Sequence, residues 1–348
     1  MRVMFHPPTL GAAGNPYVDH LARGLSSAGV ELVPYTRRGM LARLDAIHVN
    51  WPAYLLDWRD RPHAILDVGR LTAYLTIARL RGTKIVWTAH DLGAHDRTMP
   101  RLRRLYERVF SACVTDVISL SAAGVPALRR HFPELRRARV HVVPHGHYRD
   151  DYPHDVDRAE ARARLGIPGD GPVVLQFGQL RRYKGIDAMI RSFSALDDED
   201  ARLVVVGESK DETYTRELQA LAGSIPRVDL RATRVSEEDV GLLLTACDVL
   251  YAAYPPGTSL NSGVAVLGAS FARRTVVRDT PVMRELASIV GDGWIVLAAD
   301  GQDSAALRTA LDPSTTPTRS PALEELDWDR IVAATLAVYQ GSADAHSA

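Results

Sequence analysis

Short apolar runs alternate with helical patterns along almost the whole chain, and this alternation limits the possible folds more than any other feature. In the first half the runs are Val3–Phe5, Val30–Pro34, Ala46–Asn50, Lys84–Thr88, Val117–Leu120 and Val140–Val143. In the second half they are Val173–Gln176, Leu203–Val206, Val228–Arg231, Val249–Tyr251, Thr275–Val277 and Ile295–Leu297. Such runs are too short for helices and read as strands buried on both faces. Between them lie the helical stretches Tyr17–Ala28, Ala64–Arg81, Arg101–Phe110, Gly124–His131, Asp187–Leu196, Tyr214–Ala222, Glu237–Ala246, Ser262–Phe271 and Pro281–Ile289. Alternating β and α units predict parallel sheets covered by helices on both sides. So many strands do not fit one compact sheet in 348 residues. The expected architecture is α/β: two Rossmann-like, doubly wound parallel-sheet domains with a ligand cleft between them. Residues 1–150 form the first domain and 171–321 the second. The Asp/Pro/Gly-rich segment 151–170 is the linker, with a short helix at Arg158–Leu165. An amphipathic helix within 322–340 carries Trp328, Ile331 and Leu336, which need an apolar surface to bury against.

One strand-to-helix turn stands out. Phe177-Gly178-Gln179-Leu180-Arg181-Arg182-Tyr183-Lys184-Gly185 follows the run Val173–Gln176 and leads into an amphipathic stretch. A glycine turn at this place exposes backbone N–H groups and the positive end of a helix dipole to an anion. Only three of the 42 basic residues are lysines, and Lys184 is one of them. The turn reads as a diphosphate clamp; the plain alternative is a solvated basic loop.

The 46% hydrophobic and 24% charged content is that of a soluble globular protein. Cys113 and Cys247 lie far apart in apolar segments and read as buried thiols in a reducing compartment. The N-terminus enters a strand at once, without a signal peptide, and no apolar run approaches the roughly 20 residues of a membrane span. The expected location is cytoplasmic. A zero net charge hides an asymmetry. Residues 1–150 carry 22 Lys/Arg against 12 Asp/Glu, and residues 151–348 carry 20 against 30. Arg101, Arg103, Arg104 and Arg108 form one basic cluster; Arg129, Arg130, Arg136, Arg137 and Arg139 form another. These suit an anionic lipid surface at the inner face of the membrane or a phosphate-bearing acceptor; solvated surface arginine explains them too. Nucleic-acid binding is disfavoured because the clusters lack interleaved aromatic platforms. A dehydrogenase is disfavoured because no Gly-x-Gly-x-x-Gly follows the first strand.

These residues resemble the glycosyltransferase family 4-like enzymes of the GT-B fold over nearly the whole chain. Gly11–Tyr17 is similar to the family's glycine-rich first loop, which implies Gly14 as a diphosphate contact and Asn15 as a cleft residue. Phe177–Gly185 is similar to its phosphate-binding segment, and Leu203–Glu208 to its strand-to-glycine turn. Val235–Asp239 through Val249 resembles the helix and strand before the donor site. Leu326–Arg330 resembles the start of the terminal crossover helix, which implies that this helix packs back on the first domain. Many members carry two glutamates eight positions apart that hold the donor; here those positions align near Leu260 and at Gly268. The loop Tyr254–Gly263 resembles instead a branch with a Tyr and a Ser-Gly pair, several members of which assemble polysaccharides. Donor contacts are then expected from hydroxyls, from Asn261 and from backbone amides. Where many members have an Arg, this chain has Gln179, so Arg181, or else Arg182, must supply that charge.

The resemblance implies transfer of a hexose from a nucleotide-diphosphate sugar to a hydroxyl of a sugar, lipid-linked glycan or small natural product. Negative charge grows on the leaving diphosphate, so preorganised cations and N–H donors belong there. Lys184 and Arg181 supply charge, and Asn261, Ser262 and Gly263 supply polar groups at a helix start. Gly178, Gly207, Glu208, Val235, Tyr254, Thr258 and Ser259 are the expected contacts to donor sugar and nucleotide. This constellation calls for no metal and no other cofactor.

On the acceptor side, Thr88-Ala89-His90-Asp91 and His95-Asp96 follow a strand. His90 and Asp91 are the candidate catalytic residues, because a carboxylate or imidazole can take the acceptor proton. A buried, hydrogen-bonded histidine is the plain alternative for His90. His95, His145 and Trp51 are candidates for the cleft; a surface residue, a hinge and a core tryptophan are their respective plain readings. Two further readings remain open here: a GT-B-type nucleotide-sugar epimerase or hydrolase, and a catalytically weak nucleotide-sugar-binding protein.

Overall fold

The computed structural model describes residues 1–7, 15–36, 39–56, 58, 60–93, 99–255 and 260–341. The chain divides into two compact units. The first is Met1–Gly146 with Thr258–Asn261 and Glu325–Ala348; the second is His147–Gly257 with Ser262–Glu324.

The first unit is built on β1 (Arg2–His6), β2 (Glu31–Pro34), β3 (Ala46–Val49), β4 (Lys84–Ala89), β5 (Asp116–Ser119) and β6 (Arg139–Val142), in the order β2-β1-β3-β4-β5-β6. The second is built on β7 (Val173–Phe177), β8 (Arg202–Val206), β9 (Val228–Arg231), β10 (Val249–Ala252), β11 (Arg274–Arg278) and β12 (Ile295–Ala298), in the order β12-β11-β10-β7-β8-β9. Every strand pair is parallel. Read from β7 outward, the second order is that of a dinucleotide-binding fold, with its reversal between β7 and β10.

The helices are α1 (Pro16–Ser27), α2 (Arg61–Leu80), α3 (Pro100–Cys113), α4 (Val125–His131), α5 (Arg158–Leu165), α6 (Ile186–Ser194), α7 (Glu212–Gly223), α8 (Glu237–Ala246), α9 (Gly263–Ser270), α10 (Pro281–Val290), α11 (Asp303–Leu311) and α12 (Trp328–Gln340). Asn15, Asp60, Asp157, Asp211, Ser236, Ser262, Thr280 and Asp327 each accept a first-turn N–H and so start a helix.

In the first unit, α2, α3 and α4 cover one sheet face with Val68, Leu71, Leu75, Tyr106, Phe110 and Leu128. Helices α1 and α12 cover the other with Tyr17, Leu21, Leu25, Ile331 and Val338. The last helix is fastened through a buried polar chain. Tyr339 OH is bonded to His48 Nδ1. His48 Nε2 lies 2.7 Å from Thr88 Oγ1, and Thr88 also meets the Tyr17 hydroxyl. Trp328 packs so closely on Gly146 that a β-carbon there would lie 2.3 Å from the indole.

Two expectations need correction. Residues 151–170 are not a free linker but part of the second unit. Arg162 of α5 is buried, donates to the Ala246 carbonyl at 3.1 Å and pairs with Asp248 at 3.2 Å. Asp248 also holds Arg158 and accepts the Val173 N–H, so α5 is anchored to the sheet. The second correction is α11, absent from the expected helices. Its buried side is just Ala306, Leu307 and Ala310, too few apolar residues for a clear period.

Candidate functional site

In the second unit the turns after β7 and β8 lie side by side. Gly178 takes φ +102°, a backbone state that favours glycine. Its N–H donates to the Val206 carbonyl. A β-carbon on Gly207 would lie 2.2 Å from the Gly178 carbonyl oxygen, so these two turns can approach only as glycines. The chain then makes a short turn at Arg182–Lys184 and enters α6 through Gly185.

Lys184 comes out of this turn half-buried, its Nζ 5.2 Å from the Tyr254 ring centroid. It has no acceptor or carboxylate partner among the described residues. Burial, and secondarily the charge of Arg181, draw its pKa down to about 8. The Tyr254 hydroxyl is buried without a hydrogen-bond partner among the described residues, and burial pushes its pKa up. An unbalanced cation and an unsatisfied hydroxyl therefore sit together at the β7/β10 reversal, where open α/β sheets take ligands.

The neighbouring arginines are not equivalent. Arg181 Nε and Nη2 both donate to the neutral Gln179 side chain, at 3.2 and 3.1 Å. Arg182 is held by Asp211 at 3.0 Å and Glu217 at 2.8 Å and lies over the Tyr214 ring. Arg182 is thus committed to the surface of α7 and is withdrawn as an alternative phosphate ligand. Ser262 caps α9, its hydroxyl accepting the Ala265 N–H at 3.2 Å, and Gly263 opens that helix. Glu208 is exposed after β8. Val235 precedes α8, beyond the edge strand β9 and two strands from β7. Gly14, His95, Thr258 and Ser259 lie outside the described residues.

The aligned positions of the two missing glutamates have other duties. A β-carbon on Gly268 would lie 1.9 Å from Thr275 Oγ1. Leu260 is buried in the first unit's core, and its N–H donates to the His90 carbonyl at 3.2 Å. Asn261 is half-buried beside it.

In the first unit, the carboxyl ends of the strands gather His6 at the end of β1, Asn50 after β3, His90 after β4 and, beyond β6, His145. Asn50 Nδ2 donates to the His6 carbonyl at 3.2 Å, which turns its Oδ1 toward His90 Nε2, also at 3.2 Å. His90 therefore carries its proton on Nε2, which leaves Nδ1 unprotonated and an acceptor. Trp51 stacks on His90 at 4.4 Å and 19°, so one indole face is already occupied. Tyr17 meets His90 edge-on at 4.9 Å and His145 at 4.7 Å. Burial holds His90 well below the usual imidazole value and draws His145 and His6 to about 4. All three are neutral at pH 7. Asp91 follows His90, half-buried. Tyr17 and His6 are additions to the sequence-derived residues. Neither His6 ring nitrogen has a partner in hydrogen-bond geometry among the described residues. The rule that singled out His90, a polar side chain ending a parallel strand, applies equally to His6.

Among the described residues, no three His, Cys, Asp or Glu side chains converge as a metal site. Cys113 and Cys247 are both buried and free.

Comparison with known proteins finds a partial family match, similar relatives and a similar fold. A family model described as Glycosyl transferases group 1 matches residues 157–255, the stretch from α5 to just past β10. The chain is 26% identical over 331 residues to the GDP-mannose:glycolipid 4-beta-D-mannosyltransferase of Xanthomonas campestris pv. campestris, covering 94% of this chain and 89% of that protein. Sucrose-phosphate synthase from Thermosynechococcus elongatus has a similar structure, with a TM-score of 0.70 at 17% identity over 98% of each chain. Anabaena HepE in complex with UDP-glucose is also similar, with a TM-score of 0.66 at 17% identity over 98% of each chain.

Proposed function

We propose, from the premise that this chain is a glycosyltransferase of the GT-B fold, that it moves a hexose from a nucleotide-diphosphate sugar to a hydroxyl of a lipid-linked glycan without a metal ion. The reading is carried by Lys184, a half-buried cation with no counter-ion among the described residues, at the topological reversal of the second sheet. A leaving diphosphate supplies the missing negative charge, and the charge it gains in the transition state strengthens that interaction. The first N–H groups of α9 and the forked guanidinium of Arg181, once released from Gln179, add donors. The Tyr254 hydroxyl takes a donor oxygen as its partner.

On the acceptor side, His90 Nδ1 accepts a hydrogen bond from the incoming hydroxyl. Its low basicity makes it a positioning group rather than a lasting proton carrier, and Asp91 is then the first candidate for base. The lipid-linked acceptor is favoured by the glycolipid substrate of the mannosyltransferase relative. It is favoured too by the excess of basic residues in 1–150, which suits an anionic membrane surface.

The test is a thermal-shift screen against GDP, UDP, ADP, TDP and CMP, with Mg²⁺ or with a chelator, for the wild type and Lys184→Ala. Stabilisation by one diphosphate in chelator, lost in the variant, supports the clamp and names the base. Equal stabilisation of the variant, or a strict need for Mg²⁺, overturns it. Release of nucleotide diphosphate from the sugar donor must then depend on acceptor. Release without acceptor would make the protein a hydrolase.

A further inference from the structure

Helix α2 is apolar on two opposite sides. Ala64, Val68, Leu71, Leu75 and Ala78 are buried against the first sheet. With ~3.6 residues per turn, the reverse side carries Ile65, Leu66, Ala73, Ile77 and Leu80. These are not covered: Ile65 is 52%, Leu66 50%, Ile77 47% and Leu80 83% exposed. The strip between Pro62 and Leu80 runs for about 27 Å and carries one exposed charge, Arg70, which faces Asp67 at 3.7 Å. Soluble surface helices place their charges on this side. Exposed apolar strips of such length mark docking surfaces.

The neighbouring helix says what docks. Helix α3 lies beside α2 on the same sheet face, with Arg79 Nη1 donating to the Ala112 carbonyl at 2.7 Å. Its outer side presents Arg101, Arg104 and Arg108 around Leu105, which is itself 54% exposed. Arg101 and Arg104 have no carboxylate partner among the described residues, and Arg108 has only Glu134 at 3.8 Å. Arg103, expected from sequence to belong to this cluster, is instead buried with its guanidinium 4.2 Å from the Trp58 ring centroid. An exposed apolar strip is therefore flanked by three exposed arginines, of which only Arg108 has a carboxylate partner among the described residues.

We propose that the outer side of α2 and α3 docks the chain on the surface of an anionic lipid bilayer. The aliphatic side chains of α2 sink to the headgroup boundary while the arginines of α3 meet lipid phosphates. A second copy of this chain suits the strip less well, because pairing like with like brings two arginine rows together. Helix α2 lies on the membrane and does not cross it: no helix among the described residues is long and apolar enough to span. The inference deepens the transferase reading by giving the place where a lipid-borne acceptor is met, and its test reads lipid binding separately from nucleotide binding.

The experiment is co-sedimentation of the full chain with phosphatidylcholine vesicles, with and without phosphatidylglycerol. The wild type, Ile77→Ser/Leu80→Ser and Arg101→Gln/Arg104→Gln are compared. The wild type should bind the phosphatidylglycerol vesicles and be released by salt. The serine variant should lose roughly tenfold or more in partition, and the glutamine variant roughly fivefold per arginine. All three should keep the same nucleotide-diphosphate thermal shift. Absence of wild-type binding, equal binding to uncharged vesicles, or serine-variant binding equal to the wild type overturns the proposal. So does a wild-type dimer that the serine variant abolishes, which would assign the strip to self-association. Vesicle binding can fail while the nucleotide shift survives, and that result would leave the transferase reading standing.

Discussion

Lys184 holds its ammonium group 5.2 Å from the centroid of the Tyr254 ring, with no carboxylate to balance it among the described residues. Ring and cation come from the turns after β10 and β7, the two strands at which the second sheet reverses direction. The ring face offers partial compensation to a cation in place of a counter-ion. A structural salt bridge would have satisfied the lysine and left nothing for a ligand.

Removing that cation should be expensive for chemistry and cheap for folding. Lys184→Ala is expected to lower turnover by roughly 10²-fold or more with little loss of thermal stability. Arg182→Ala is the matched control. Its side chain is spent on Asp211 and Glu217, so turnover should stay within roughly twofold of wild type, because exposed pairs of this kind do little. Steady-state kinetics on both variants decide the matter, and equal losses would refute the division of labour between the two residues.

The lowered pKa of Lys184 gives diphosphate binding a pH signature. Free, the amine loses its proton as pH rises through about 8. Bound to a diphosphate it is held protonated, so binding must take up a proton at and above that pH. Calorimetry in buffers of different ionisation enthalpy should show this uptake growing as pH rises past about 8 and vanishing in Lys184→Ala. Uptake that is unchanged in the variant would place the proton elsewhere.

Tyr254→Phe separates binding from stability. The hydroxyl is buried with no partner among the described residues, so its loss should leave the melting temperature unchanged or slightly raised. If the donor satisfies that hydroxyl, kcat/KM should fall by about tenfold, a cost of about 1.4 kcal/mol. A marked drop in melting temperature would show that the hydroxyl is already satisfied without ligand.

Restoring a glutamate at Gly268 should not restore a family-like site. The first side-chain atom would already lie 1.9 Å from Thr275 Oγ1, and overpacking of this kind costs roughly 1–3 kcal/mol or more. Gly268→Glu is expected to fold poorly or to melt well below wild type by circular dichroism. A stable, more active variant would mean that α9 can shift away from β11.

Acid should destabilise the first unit before its carboxylates titrate. Burial draws His6 and His145 to about 4 and His48 to about 3, and lowers His90 as well. Between about 6.5 and 4, the unfolded chain binds protons that the folded one does not, so stability falls as pH falls. Each histidine adds up to about 1.4 kcal/mol per pH unit in that window. Urea titrations followed by tryptophan fluorescence should register it, since Trp51, Trp58, Trp87 and Trp328 all belong to this unit. A flat profile from pH 6.5 to 4.5 would contradict the buried neutral state.

The strands were legible because burial on both faces leaves a mark on consecutive residues: Val173-Val174-Leu175 and Leu203-Val204-Val205 need no partner to be recognised. The glycine turn with Lys184 was legible for a similarly local reason. What escaped was set by distant residues. Nothing near Arg103 shows that Trp58 will cover it, and nothing near Arg182 shows that Asp211 and Glu217 will hold it. Leu260 reads as part of a donor loop, yet it is buried in a core otherwise assembled from residues between Met4 and Ala138. Helix α2 displays an apolar pattern without declaring which side is inward, because both sides are apolar.

The fastening of α12 sets an order of events during synthesis. Tyr339 reaches back 291 positions to His48, and the Val338 carbonyl reaches back 254 to Lys84. A ribosome finishes residues 1–146 first, then makes the entire second unit, and only afterwards releases the helix that covers Leu21, Leu25 and the sheet beneath them. Until then the nascent first unit presents an open apolar flank, the kind of surface that chaperones bind. Trp328, which seats Tyr17 against His90 and His145, arrives with that same helix. A message broken before codon 325 would thus keep the turn that carries Lys184 and lack the helix that closes the first unit over Tyr17.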